Sequence, residues 1–169
     1  GVYGKEPVLF YELSQLMKQA KDRVIIHTPY VVLNGYMKRE LTDIARKVQN
    51  SRMVINSVEN GDNFMASSDY LYRKKGVYDT GISMLEYDGG VSYHGKSIVI
   101  DEDMSIIGSY NMDLRSTYVD TELMLAVQSR KLTEELTGYM DEMEKDCRVV
   151  TGPDTYEVPE HIQVERSEE

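Results

Sequence analysis

Residues 93–127 read YHGKSIVIDEDMSIIGSYNMDLRSTYVDTELMLAV. Ser92–Ile100 and Ser105–Ile107 are β-rich runs parted by the polar turn Asp101-Glu102-Asp103, which is the pattern of a hairpin. Glu122–Val127 is a further apolar run of strand length. On either side, apolar positions recur at helical spacing in residues 7–21 (Leu9, Leu13, Leu16, Met17, Ala20), 36–49 (Met37, Leu41, Ile44, Ala45, Val48) and 131–145 (Leu132, Leu136, Tyr139, Met140, Met143). Arg23–His27, Met53–Asn56 and Ile82–Tyr87 are short strand candidates, and Ser67-Ser68-Asp69 has the form of a helix start. Strands alternating with helices give an α/β class, an α+β sandwich in which helices flank a mixed β-sheet.

The chain has 169 residues, enough for one domain that buries a core without disulfides or a metal. Its 41% hydrophobic and 28% charged residues are globular composition, and no apolar run approaches the ~18 residues of a spanning helix. A cytoplasmic location, or one peripheral to the membrane, follows as the expectation. One cysteine, Cys147, permits neither an internal disulfide nor a thiolate metal cage. The net charge is −10, and half of it sits in residues 149–169, which hold six acids and one arginine. An acidic body lacks the basic surface that supplies most nonspecific DNA affinity, so nucleic acid is an unlikely partner. Residues 1–148 read as the folded body and 149–169, with Pro153 and Pro159, as an acidic extension.

Chemistry concentrates in the quoted stretch. His94 and Lys96 are two apart on an expected strand, so both side chains project to one face and set a nucleophile or base beside a fixed positive charge. Asp101 ends that strand. Gly108, Ser109 and Asn111 end the next, where a turn can present a hydroxyl, an amide and backbone N–H groups to an anion. Glu122 opens the following strand and is placed to accept a hydrogen bond from the His94 ring, which would fix its tautomer.

The combination HGKSIVID (94–101), GSYN (108–111) and Glu122 resembles the phospholipase D superfamily signature, His-x-Lys-x4-Asp followed by Gly-Ser-x-Asn and a downstream Glu. The longer string GSYNMDLRS, with TPY at 28–30, looks most like the C-terminal half of bacterial cardiolipin synthase-like members, and the likeness spans roughly residues 9–146. It implies a phospholipase D-like fold and a phosphatidyltransferase or phosphodiesterase acting on phospholipids. Carried over, His94 is the nucleophile that forms a phosphohistidine. Lys96, Ser109 and Asn111 hold the phosphate oxygens, Glu122 orients His94, and Asp101 supports the site. Such catalysis calls for no metal and no cofactor.

The resemblance also exposes a gap. The family brings two motifs together, one His attacking and the other serving as general acid, and this chain has one His-x-Lys. Either two copies meet as a homodimer, or this is the C-terminal part of a longer protein whose missing N-terminal half supplies the second motif. A first residue of Gly rather than Met favours the latter. A homodimeric nuclease-type phosphodiesterase and a non-catalytic half-domain stay open as alternatives.

Other residues have plainer readings. His27 is expected to pack at the end of the first strand, Arg73-Lys74-Lys75 to form a solvated helix face, and Arg115 to tie the post-motif turn to a neighbouring acid. Cys147 is expected to be inert, and Tyr30, Tyr36, Tyr93 and Tyr110 to be half-buried packing near the site loops.

Overall fold

The structure, a computed structural model, describes residues 4–57, 74–91, 93–153 and 155–162. In chain order the elements are α1 (Val8–Lys18), β1 (Arg23–His27), α2 (Gly35–Lys47), β2 (Asn50–Asn56), α3 (described over 74–78), β3 (Ser83–Tyr87), β4 (Ser97–Ile100), β5 (Met104–Gly108), α4 (Leu114–Tyr118), β6 (Met124–Gln128), α5 (Arg130–Glu144), β7 (Cys147–Gly152) and β8 (Thr155–Glu157). The expected helix start at Ser67-Ser68-Asp69 lies outside the described residues.

The strands form one eight-stranded sheet in the order β6-β5-β4-β1-β2-β3-β7-β8. β1, β2 and β3 are parallel neighbours, and antiparallel strands extend the sheet on both sides. Parallel pairing needs a crossover, and α2 supplies the one between β1 and β2. The Asn34 side chain caps α2 by accepting the Met37 N–H at 2.9 Å, and Ser129 caps α5 by accepting from Leu132 at 3.2 Å.

Alternation along β1 places the core. Val24 and Ile26 point to one face and join Phe10, Leu13 and Met17 of α1 with Met37, Leu41 and Ile44 of α2. Ile25 points to the other and meets Val99 and Met140 beneath α5. Covered on both faces, β1 is apolar from Val24 to Ile26, as a buried strand must be. Among the described residues no helix is long and apolar enough to cross a membrane.

The chain beyond 148 departs from expectation. A boundary there falls inside β7, which pairs antiparallel with β3 through Leu85↔Val149, Glu86↔Arg148 and Tyr87↔Cys147, and β8 pairs with β7 in turn. Residues 149–152 and 155–157 therefore belong to the sheet rather than to an appended tail. The reason is a charge match across strands. Glu86, fully buried, accepts from Arg148 Nε at 2.8 Å and from Lys74 Nζ at 2.6 Å. The Tyr156 ring lies over both cations, 4.3 Å from Lys74 Nζ and 4.4 Å from Arg148 Cζ. Lys74 is thus a core ion-pair residue and not part of a solvated helix face, whereas Lys75 is exposed and pairs with Asp79.

At its other end the chain runs beside α4. The Lys5 N–H donates to the Tyr118 carbonyl at 2.8 Å, and the Lys5 ammonium reaches the Asp120 carbonyl.

Candidate active site

His94 and Lys96 do not stand on a strand. Residues 93–96 form a loop, and β4 begins at Ser97. The cause is the end of β1: its last residue, His27, pairs with Ser97, and Thr28-Pro29 then turns away, so nothing continues the ladder beside Tyr93–Lys96. Side chains replace it. The Asn56 amide accepts the Tyr93 N–H at 2.9 Å and donates to the Tyr93 carbonyl at 2.6 Å. On the far side the Gly108 N–H donates to the Lys96 carbonyl at 3.4 Å, which sets the loop against the end of β5. Gly95 must be glycine here, because a Cβ would run into the Tyr93 hydroxyl and ring.

His94 is exposed, with the edge of the Tyr30 ring 6.3 Å from its own, centroid to centroid. Lys96 Nζ donates to the His94 carbonyl at 2.9 Å, which keeps a positive charge on the His94 loop.

The Ser109–Asn111 turn lies beyond Gly108. Glu122 spends its carboxylate there: one oxygen accepts from the Ser109 hydroxyl and the other from Ser116 Oγ at 2.9 Å. It bonds these two hydroxyls and not the His94 ring, contrary to the sequence expectation. Glu122 precedes β6 and faces the end of β5, where the Ser109 N–H donates to the Leu123 carbonyl at 3.0 Å. Ser116, which sequence reasoning missed, links the turn together: its Oγ also accepts the Asn111 N–H at 3.3 Å. The only signal for it was its place in GSYNMDLRS. Arg115 pairs with Asp120 at 3.0 Å, as expected. Asn111 Oδ1 is buried and has no hydrogen-bond partner among the described residues. Leaving it so costs about 1–3 kcal/mol.

Asp101 belongs elsewhere. The four residues of β4, about 13 Å of strand, separate it from the His94 loop. Its carboxylate accepts the N–H groups of Lys21, Asp22 and Arg23 at 2.7–3.2 Å, pinning the start of β1 to the β4–β5 turn. Its backbone φ is +54°, a left-handed turn that Asp tolerates better than most residues. A catalytic role is therefore corrected to a structural one. Partial burial pushes this carboxyl up, but the backbone N–H groups outweigh burial and hold it below the usual carboxylate range. A depressed folded-state value means stabilisation that is present above about pH 4 and is lost as pH falls through the folded value. Asp101→Asn should lower urea stability by about 1 kcal/mol at pH 7, with the difference closing between about pH 5 and pH 2. Denaturation midpoints at several pH values check this.

The other sequence expectations sort by burial. His27 is packed, as expected, yet also bonded at both ring nitrogens, to the Tyr93 hydroxyl at 3.1 Å and to Glu144 at 3.2 Å. Burial pushes the Tyr93 hydroxyl up to about 12, with the Ser97 hydroxyl pulling against it, so Tyr93 is a neutral donor. Cys147 is buried, its thiol pushed up to about 12, and it is inert. Tyr110 is buried against Thr117, and Tyr36 meets the edge of Phe10.

Comparison with known proteins places this arrangement. Residues 13–144 match the family model described as "Cardiolipin synthase, PLD-like domain". The minor cardiolipin synthase ClsB of Bacillus subtilis is 28% identical over 136 residues, which cover 80% of this chain and 33% of that protein. Cardiolipin synthase A of Buchnera aphidicola is 23% identical over 143 residues, covering 85% of this chain and 29% of that one. The chain thus spans about a third of the length of these relatives. Among solved structures, the phospholipase D family member Nuc from Salmonella typhimurium superposes with a TM-score of 0.63 at 17% identity, covering 85% of this chain and 89% of that one. Phosphatidylserine synthase from Haemophilus influenzae gives 0.71 at 14% identity, covering 95% and 42%. A family match over residues 13–144 leads to one conclusion: the chain belongs to the cardiolipin synthase, phospholipase D-like domain family.

Proposed function

We propose that this domain transfers or hydrolyses the phosphodiester of a phospholipid through a phosphohistidine formed on His94. The observation that carries the reading is an exposed imidazole on a loop tied to the Ser109–Asn111 turn, with the Lys96 ammonium on that same loop. In the first step a His94 ring nitrogen bonds to phosphorus while the bond from phosphorus to the leaving alkoxide oxygen breaks. A general acid gives that oxygen its proton. In the second step the hydroxyl of an acceptor alcohol or of water attacks phosphorus, its proton passes to the conjugate base left by that general acid, and the nitrogen–phosphorus bond breaks. Lys96 and Asn111 stabilise the oxygens as negative charge gathers on them, and Ser109 joins them when its one hydroxyl proton turns from Glu122 to the phosphate. Glu122 holds Ser109 and Ser116, and so sets the turn rather than the imidazole.

The general acid comes from a second motif, on another copy of the chain or on another unit of the same polypeptide. An apolar strip beside the site supports this reading. Leu123 is 78%, Leu125 64% and Val119 62% exposed, and Ile107, directly opposite Leu125, is 42% exposed. The acidic balance favours a lipid over a nucleic acid.

The protein that carries this chain, given phosphatidylglycerol in detergent micelles, is expected to form cardiolipin and glycerol, or phosphatidic acid when water is the acceptor. Plasmid DNA at low salt should survive under the same conditions. Plasmid cleavage with phosphatidylglycerol untouched would replace the lipid reading by the nuclease one.

A further inference from the structure

We propose that the dipeptide His27-Thr28 sets the spacing between the two halves of the site, the His94–Lys96 loop and the Ser109–Asn111 turn. Both are positioning residues, and the inference rests on the phosphohistidine reading. It starts from the absence of a ladder beside residues 93–96, which leaves the nucleophile's loop to be placed by side chains.

His27 holds the first half. It is 2% exposed at the last position of β1. Its Nε2 lies 3.2 Å from Glu144 Oε1, and because a carboxylate only accepts, that nitrogen carries the proton. Nδ1 is hydrogen-bonded to the Tyr93 hydroxyl at 3.1 Å. Glu144 is itself fixed by Arg52 Nε at 2.9 Å. Tyr93 is therefore gripped at its hydroxyl by His27 of β1, which Glu144 of α5 holds in turn, and at its backbone by Asn56 of β2, and the next residue is His94.

Thr28 holds the second half. It is 2% exposed, and its N–H donates to the Val54 carbonyl at 3.0 Å. Thr28 Oγ1 accepts the N–H of Met112, the residue after Asn111, at 3.1 Å. The same hydroxyl donates to the Tyr30 carbonyl at 2.9 Å, and the Tyr30 ring stands against that of His94. Two adjacent residues of one rigid strand end thus reach both halves, and directional hydrogen bonds pass that fixed spacing on. Misplacement by about 1 Å costs about 10²-fold in rate, so the spacing is a catalytic quantity.

The test uses the protein that carries this chain, with bis(p-nitrophenyl) phosphate as a chromogenic phosphodiester and thermal melts alongside. Thr28→Val keeps the shape and loses the hydroxyl, and Thr28→Ser keeps the hydroxyl and loses a buried methyl. Activity should follow the hydroxyl: kcat down about 10- to 100-fold in Thr28→Val with KM within about threefold, and kcat within about threefold of wild type in Thr28→Ser. Tyr93→Phe, which cuts the His27 tether without changing packing, should lower kcat about tenfold at unchanged KM, and it carries the test if Thr28→Val fails to fold. Wild-type kcat in both Thr28→Val and Tyr93→Phe, or losses that only track the folded fraction, would overturn the proposal. His94→Ala in the same assay separates the two readings. Turnover retained there overturns both, whereas a dead His94→Ala beside unaffected Thr28→Val and Tyr93→Phe overturns the positioning claim alone.

Discussion

His94→Ala should lower turnover of phosphatidylglycerol by about 10⁴-fold or more, with the fold intact, because covalent catalysis has no detour once the nucleophile is gone. The side chain is exposed and contributes little packing, so a melting temperature near that of wild type is expected. Lys96→Ala should be milder, about 10²- to 10³-fold, since it removes one source of charge stabilisation and leaves Ser109 and Asn111 in place. Initial rates at saturating substrate check both. Activity above about one part in a hundred in His94→Ala would end the phosphohistidine reading.

The second large effect is on stability and lies at the other side of the sheet. Glu86→Gln should cost about 3–5 kcal/mol of the ~5–15 that hold a domain of this size together. Glu86 is fully buried and accepts from two buried cations, Lys74 and Arg148, on α3 and β7. An amide keeps the shape but leaves both positive charges facing each other in a poorly solvated place. Replacing all three together by Met, Leu and Met should be milder than Glu86→Gln alone, since the two cations then leave with their shared acceptor. Urea midpoints of the two variants decide it. A single variant at wild-type stability would mean the cluster does not hold β7 to β3.

Legibility in the sequence followed range. Elements ruled by local periodicity were readable: α1, α2 and α5 from apolar spacing, β1 and β3 from apolar runs, and the β4–β5 hairpin from its polar turn. Where a partner far along the chain decides, the reading failed. The match of Arg148 to Glu86 has no sequence signature, so the sequence alone puts residues from 149 on in an extension rather than in β7. The β-rich run from Ser92 implied a strand through His94, because nothing in 92–100 reveals that β1 stops at His27. Asp101 sits at motif spacing, yet its partners are backbone N–H groups of residues 21–23, which carry no sequence signature. His94, Lys96, Ser109 and Asn111 were visible by residue type and order. That Glu122 serves Ser109 and Ser116 needed coordinates.

The run of Lys5 along Tyr118 and Asp120 has a practical corollary. Lys5 is thereby held within a few residues of Val119 and Leu123, beside the proposed site, while β8 forms the opposite border of the sheet. On the proposed reading, an affinity tag or fluorescent fusion placed close ahead of Lys5 would crowd the substrate's approach.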